Sequence, residues 1–151
     1  MRVVAWNANY NRHRRALEDD VAILRQFDAD VLVISEAAPP QASNPCGAVF
    51  VGETPGLAVI SRDGVTIEPC DGGAVSPCLS LGFRIVAPWR YHVVAVWPVC
   101  FVSCALLPST RYRVCDAPSW AAISDHRPVV LDVDEPAGHD GQPCGTSPAT
   151  G

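Results

Sequence analysis

Three short segments of the chain carry side chains with chemical capacity. Asn7 closes a run over residues 2–6 that is apolar from Val3 onward, and Glu36 closes a second run over Val31–Ser35. Ser124-Asp125-His126-Arg127-Pro128 stands directly before a third run, Val129–Val133. A carboxylate beside a carboxamide is a hard-oxygen site, suited to Mg²⁺ or Mn²⁺ that keeps several waters. An aspartate beside a histidine in a loop presents an imidazole as a general base. Histidine occurs only four times in the chain, so its placement is informative. Each segment also has a plainer reading. A polar residue after a buried strand is a turn former, and a loop histidine pairs with backbone.

The elements that would position these groups follow from apolar periodicity. Residues 2–6 read as a short buried strand. Asn7-Ala8-Asn9-Tyr10-Asn11 is turn chemistry and offers Asn11 as a helix N-cap. From Arg12 to Phe27 the period becomes helical, with an apolar stripe interrupted only by Asp20. Arg12, His13, Arg14 and Arg15 then fall in the first turn, where the helix dipole disfavours cations. They read as a solvated face, with a phosphate-facing helix start as the sharper alternative. Val31–Ser35 has the unbroken apolar character of a buried parallel strand. Strand, helix and strand within about 35 residues make a βαβ unit, with parallel strands and a right-handed crossover. Parallel neighbours set Asn7 and Glu36 side by side at the carboxyl ends, where open α/β sheets hold ligands.

After a Pro-, Ala- and Ser-rich loop over 37–47, the chain becomes strand-like. Candidate strands are Ala48–Val51, Gly56–Ser61, Val65–Glu68, Leu79–Val86, His92–Trp97, Phe101–Leu106, Tyr112–Cys115 and Val129–Val133. Asp63-Gly64 is a two-residue hairpin signal, and Pro88-Trp89-Arg90 is another turn. Glu135–Gly151 is poor in apolar residues and reads as a disordered tail. One helix beside so many strands implies a sandwich with an uncovered sheet face. Open edges and apolar area of that kind favour self-association.

The chain has 151 residues, which fits one domain over 1–134 followed by the tail. Hydrophobic residues make up 48% and charged residues 18%, a globular composition. Acidic residues outnumber basic ones by 16 to 11, for a formal charge of −5. That argues against a protein that coats extended nucleic acid by counterion release. An enzyme acting on a single phosphodiester remains compatible, because a bound cation supplies local positive charge. No apolar run approaches the ~20 residues needed to cross a bilayer. Met1-Arg2-Val3-Val4-Ala5-Trp6-Asn7 turns polar too soon for a secretory signal. No membrane partner and a cytoplasmic location are therefore expected. The seven cysteines form no Cys-x-x-Cys and no zinc set. They read as reduced thiols, with a Cys70–Cys78 or Cys100–Cys104 bridge as the alternative.

Taken together, Trp6-Asn7, Ile34-Ser35-Glu36 and Ser124-Asp125-His126-Arg127-Pro128 resemble the first, second and last motifs of the endonuclease/exonuclease/phosphatase superfamily. These are the deoxyribonuclease-I-like and exonuclease-III-like phosphoesterases. Asp30–Glu36, Gly56–Arg62, Val94–Trp97 and Cys100–Ser103 also resemble stretches of that family. The resemblance covers roughly residues 2–134. It implies a four-layered α/β sandwich with mixed sheets and Mg²⁺- or Mn²⁺-dependent phosphoester hydrolysis. It further implies that Glu36 ligates the metal and that Asn7 hydrogen-bonds near metal and phosphate. His126 would activate water or contact phosphate, and Asp125 would lie beside the metal and help place His126.

The chain also departs from the family pattern. Asparagine occurs only at 7, 9, 11 and 44, so the family's Gly-Asp-x-Asn motif is missing from the second half. Trp97-Pro98-Val99 passes straight to Cys100-Phe101-Val102-Ser103, without the Asp that orients the last His. The pattern is that of a truncated sandwich shortened near residues 98–100. The expected function is a metal-dependent phosphoesterase with impaired turnover, acting on a phosphoester of unspecified identity. The alternatives are a non-catalytic remnant that binds metal or a partner, and a plain sandwich domain.

Overall fold

The computed structural model describes residues 1–41, 48–52, 54–69, 80–87, 91–96 and 110–134. Its elements are β1 (Arg2–Asn7), α1 (Tyr10–His13), α2 (Leu17–Leu24), a 3₁₀ turn (Arg25–Phe27), β2 (Val31–Ala37), β3 (Ala48–Val51), β4 (Gly56–Ser61), β5 (Thr66–Pro69), β6 (Ser80–Ala87), β7 (Tyr91–Val96), β8 (Thr110–Val114), α3 (Trp120–Ile123) and β9 (Val129–Val133). They form a mixed α/β fold with two sheets. One has six strands in the order β3-β4-β2-β1-β9-β8, and the other has three in the order β5-β6-β7.

β1 is apolar at almost every position, so it can only be central. Val3, Val4, Ala5 and Trp6 are all buried. Its pairing with β2 is parallel, with Val3 opposite Val31 and Asn7 opposite Ser35. The expected βαβ unit is therefore present. On the other side β9 pairs antiparallel, with Ala5 opposite Val129. Alternation along the strands sends side chains to two different cores. Val3, Ala5, Val31, Val33, Leu57 and Val59 meet Val65, Phe83, Ile85 and Val93 of the three-stranded sheet side. Val4, Trp6, Leu32, Ile34 and Val130 meet Leu17, Leu24, Phe27 and Trp120 on the helical side. The described residues thus stack as helices, sheet and sheet.

Several elements differ from the sequence expectation. The helix expected over Arg12–Phe27 is broken into α1, α2 and the 3₁₀ turn. Arg14 takes a left-handed φ of 53° and Ala16 is extended, so the first turn cannot propagate into the second. Asn11 is not the cap. It lies inside α1, which Asn9 precedes at φ 51°. Asn tolerates that conformation, and the Asn9 N–H donates to Asn7 Oδ1 at 2.8 Å, an Asx turn. The break also reverses the dipole argument. Arg12 and His13 occupy the last turn of α1, where cations are favoured, while Glu18, Asp19 and Asp20 occupy the first turn of α2.

Asp63-Gly64 does form a turn, with Val65 N–H donating to Arg62 O at 3.1 Å and Gly64 at φ 82°. It does not make a hairpin, because β4 and β5 belong to different sheets. The register of the second sheet depends on β6, which pairs with both β5 and β7. α3 was hidden in the sequence, since four residues show no period. Trp120 is nevertheless buried, stacked on Phe27 with centroids 5.6 Å apart and edge-on to Trp6 at 5.9 Å. β8 spans Thr110–Val114 rather than Tyr112–Cys115, and it is an exposed edge on which Tyr112 is 76% exposed. Cys115 is a free, half-buried thiol whose burial pushes its pKa up. The other six cysteines, the strand expected over Phe101–Leu106, the turn at Pro88-Trp89-Arg90, the shortened join near 98–100 and the tail from Glu135 lie outside the described residues. No helix among the described residues is long and apolar enough to cross a membrane.

Phe83 is fully buried and belongs to the core between the two sheets. Phe83→Ala is expected to lower stability by about 3–5 kcal/mol, measured by urea unfolding. Tyr112→Ser on the exposed edge is expected to change it by less than about 0.5 kcal/mol.

Candidate functional site

The site begins where β1 ends. Asn7 is buried at 5% exposure and sits one strand from β2. Its side-chain amide is used at both ends. Oδ1 accepts from the Asn9 N–H at 2.8 Å, and Nδ2 donates to Glu36 Oε1 at 3.0 Å. The backbone N–H fixes which end is oxygen, so Asn7 presents a donor to the carboxylate.

Glu36 is aimed by a local irregularity of β2. The pairing of β2 with β4 shifts register between Ser35 and Ala37, leaving Glu36 as the extra residue. Its φ is 50°, in the left-handed region. Bulges re-aim side chains in this way, commonly beside functional sites. Here Ser35 and Ala37 are both buried, and the half-buried Glu36 reaches across to Asn7.

The second half of the site arrives through β9. Because β9 is antiparallel to β1, the loop before it stands at the carboxyl end of β1. Ser124 is buried at 1% exposure and ties the two together. Its hydroxyl donates to Asn7 O at 2.9 Å and accepts the His126 N–H at 3.1 Å. Trp6 Nε1 donates to His126 O at 3.2 Å. Asp125 and His126 are half-exposed at the rim, with Asp125 Oδ1 3.6 Å from His126 Nε2. The same Oδ1 accepts from Asn9 Nδ2 at 2.7 Å. That bond is the main reason the Asp125 carboxyl lies below its ordinary pKa.

The four residues singled out from sequence are therefore joined by one chain of contacts, Glu36 to Asn7 to Asn9 to Asp125 to His126. Asn9 and Ser124 supply links that the motif reading left without a role. Their signal was present in Asn7-Ala8-Asn9 and in the serine that opens the histidine motif. Arg15 is a further omission. Expected on a solvated face, it instead turns its guanidinium inward against the protein.

The donor set can be compared with the needs of a divalent ion. Among the described residues no group of three or more His, Cys, Asp or Glu side chains could hold a metal. Mg²⁺ commonly binds through one or two carboxylates and keeps its remaining waters, and Glu36 offers one such carboxylate. Asn7 would act on that carboxylate through Nδ2, and Asp125 is occupied by Asn9 and His126.

The opposite end of the strands has a different character. Cavities of ≈ 450 and ≈ 370 Å³ open there, sharing Asp28 and Arg62 in their walls. Arg62 pairs with Asp30 at 2.5 Å, and Arg2 pairs with Asp132 at 2.6 Å. Those acids are neutralised by arginine, unlike Glu36. No family model, no curated protein and no solved structure matches the chain.

The backbone at Glu36 yields a test that is independent of chemistry. A side chain at left-handed φ is disfavoured by roughly 1–2 kcal/mol relative to glycine. Glu36→Gly is therefore expected to be about 1 kcal/mol more stable than Glu36→Ala, the reverse of the usual strand order. Urea unfolding of the two variants checks this, and a more stable alanine variant would show that residue 36 does not hold this conformation.

Proposed function

We propose that the chain is a shortened member of the endonuclease/exonuclease/phosphatase superfamily, a metal-dependent phosphoesterase of low turnover. The observation that carries the reading is the joining of Glu36, Asn7, Asp125 and His126 at one end of β1, in the motif order of that family. The finer fold in this reading is a truncated four-layered sandwich, of which helices and two sheets form three layers. β8 is an exposed edge, and it is the expected route for self-association.

In this reading Glu36 would hold Mg²⁺ or Mn²⁺ through its carboxylate, and Asn7 Nδ2 donates to Oε1 of that carboxylate. The ion would polarise a phosphoryl oxygen and offset the charge that builds during in-line attack. Asp125 Oδ1 lies 3.6 Å from His126 Nε2, and the half-exposed imidazole would take a proton from the attacking water. Asn9 holds Asp125 in that position and favours its charged form. The substrate is a phosphoester. Extended nucleic acid is disfavoured by the net charge of −5.

A second reading, a non-catalytic remnant that binds metal or a partner, has its own support. The sequence has no Gly-Asp-x-Asn, and the described residues offer no three-ligand cluster. Losing a positioned acid, base or electrostatic contact commonly costs on the order of 10²–10⁴-fold each.

Hydrolysis of bis(4-nitrophenyl) phosphate separates the two. Slow turnover is expected with Mg²⁺ or Mn²⁺, lost on chelation and lowered roughly 100-fold or more in His126→Ala. Turnover equal in the wild type and His126→Ala would overturn the enzymatic reading. Metal binding with no turnover would favour the remnant.

A further inference from the structure

Arg15 stands between the two halves of the candidate site. It follows the left-handed Arg14 and precedes α2, so the chain turns its side chain toward the sheet. Its side chain is only 20% exposed. Nε donates to Asp20 Oδ1 at 2.7 Å, Nη1 to Ile123 O at 2.8 Å and Nη2 to Ala8 O at 3.2 Å. The guanidinium carbon also lies 5.4 Å from the centre of the Trp6 ring. Three of these four contacts adjoin the site. Ala8 lies between Asn7 and Asn9. Ile123 is the last residue of α3, immediately before Ser124-Asp125-His126. Trp6 itself donates to His126 O.

We propose that Arg15 is a positioning residue that sets the distance between the Asn7–Asn9 segment and the Ser124–His126 loop. Three donors of one planar fork reach three different segments, a geometry that lysine cannot reproduce. The partners at Ala8 and Ile123 are backbone carbonyls beside the site, so the clamp acts on main chain. Asp20 is 1% exposed and serves as the fixed anchor of the fork. This explains why an aspartate interrupts the apolar stripe of α2. The buried charge of Asp20 requires a partner, and the partner that it holds reaches the site. The inference rests on the proposed site for its relevance to catalysis. The clamp itself is tested without turnover.

The experiment compares wild type with Arg15→Lys and Arg15→Ala by hydrogen exchange and by NMR of the histidine ring signals. Both variants are expected to lower the protection of the His126 N–H, which is bonded to Ser124 Oγ, by roughly tenfold or more. The His126 ring signals and the Asn9 amide should move with it. Protection in β2 and β6 should fall much less, which a merely stabilising residue would not produce. Unchanged signals at Asn9 and His126 would overturn the proposal. So would a uniform fall across all strands, or loss of the fold in both variants, because either would leave Arg15 with stability alone. If the wild type hydrolyses a phosphodiester, Arg15→Lys should lower kcat more than it raises KM. If it does not, the exchange result still decides the role of Arg15, so the two failures remain distinct.

Discussion

The burial of β1 on both faces is the constraint from which the rest follows. Val3 and Ala5 face one core, and Val4 and Trp6 face the other. A strand of this kind is stable only inside a sheet, so it needs a partner on each edge. β2 fills one edge in parallel, which requires the helical crossover, and β9 fills the other antiparallel. These two directions bring the end of β2 and the start of β9 to the same end of β1. Glu36 and Ser124-Asp125-His126 are therefore neighbours through topology rather than through sequence distance. Reversing either pairing would send one of them to the arginine-paired end, where Asp30 and Asp132 lie.

The same end of the sheet holds features that stability alone would not select. Glu36 occupies a left-handed backbone at a bulge, Asn9 another left-handed position, and Arg15 with Asp20 a buried ion pair. The left-handed Glu36 and the buried ion pair are disfavoured in isolation, whereas Asn9 is held by its Asx turn. Burial raises the Asp20 pKa even against the bond from Arg15, so desolvation is the larger effect there. The surroundings hold these features in place through packing of Trp6, Phe27 and Trp120 and through the buried Ser124 hydroxyl.

The strands beside the site were legible because their apolar runs are unbroken. Val31–Ser35, Gly56–Ser61 and Val129–Val133 fall within strands where the pattern put them, and the βαβ unit follows from the run over 2–6, the helical spacing and Val31–Ser35. The crossover was less legible. Arg12–Phe27 reads as one helical stretch, yet the helix breaks at the left-handed Arg14 and extended Ala16, beside an Arg15 that bonds carbonyls as distant in sequence as Ala8 and Ile123. No local propensity encodes such a bond. Asp63-Gly64 shows the same limit. The dipeptide specifies a turn, but only the placement of Val65 in the inter-sheet core decides that the chain leaves its sheet. At the site, residue types were legible from their positions after strands. The links through Asn9 and Ser124 were not, because they depend on side-chain geometry across the β1–β9 pair.

We propose that the Glu36 end of the sheet, and not the acidic residues at the other end, takes a divalent ion. Paramagnetic broadening of amide signals by Mn²⁺ tests it most directly. At low Mn²⁺ the signals of Asn7, Asn9, Glu36, Asp125 and His126 should broaden first, and Glu36→Gln should remove that effect. Broadening centred on Asp28, Asp30, Asp132 and Asp134, or broadening unchanged in Glu36→Gln, would contradict it.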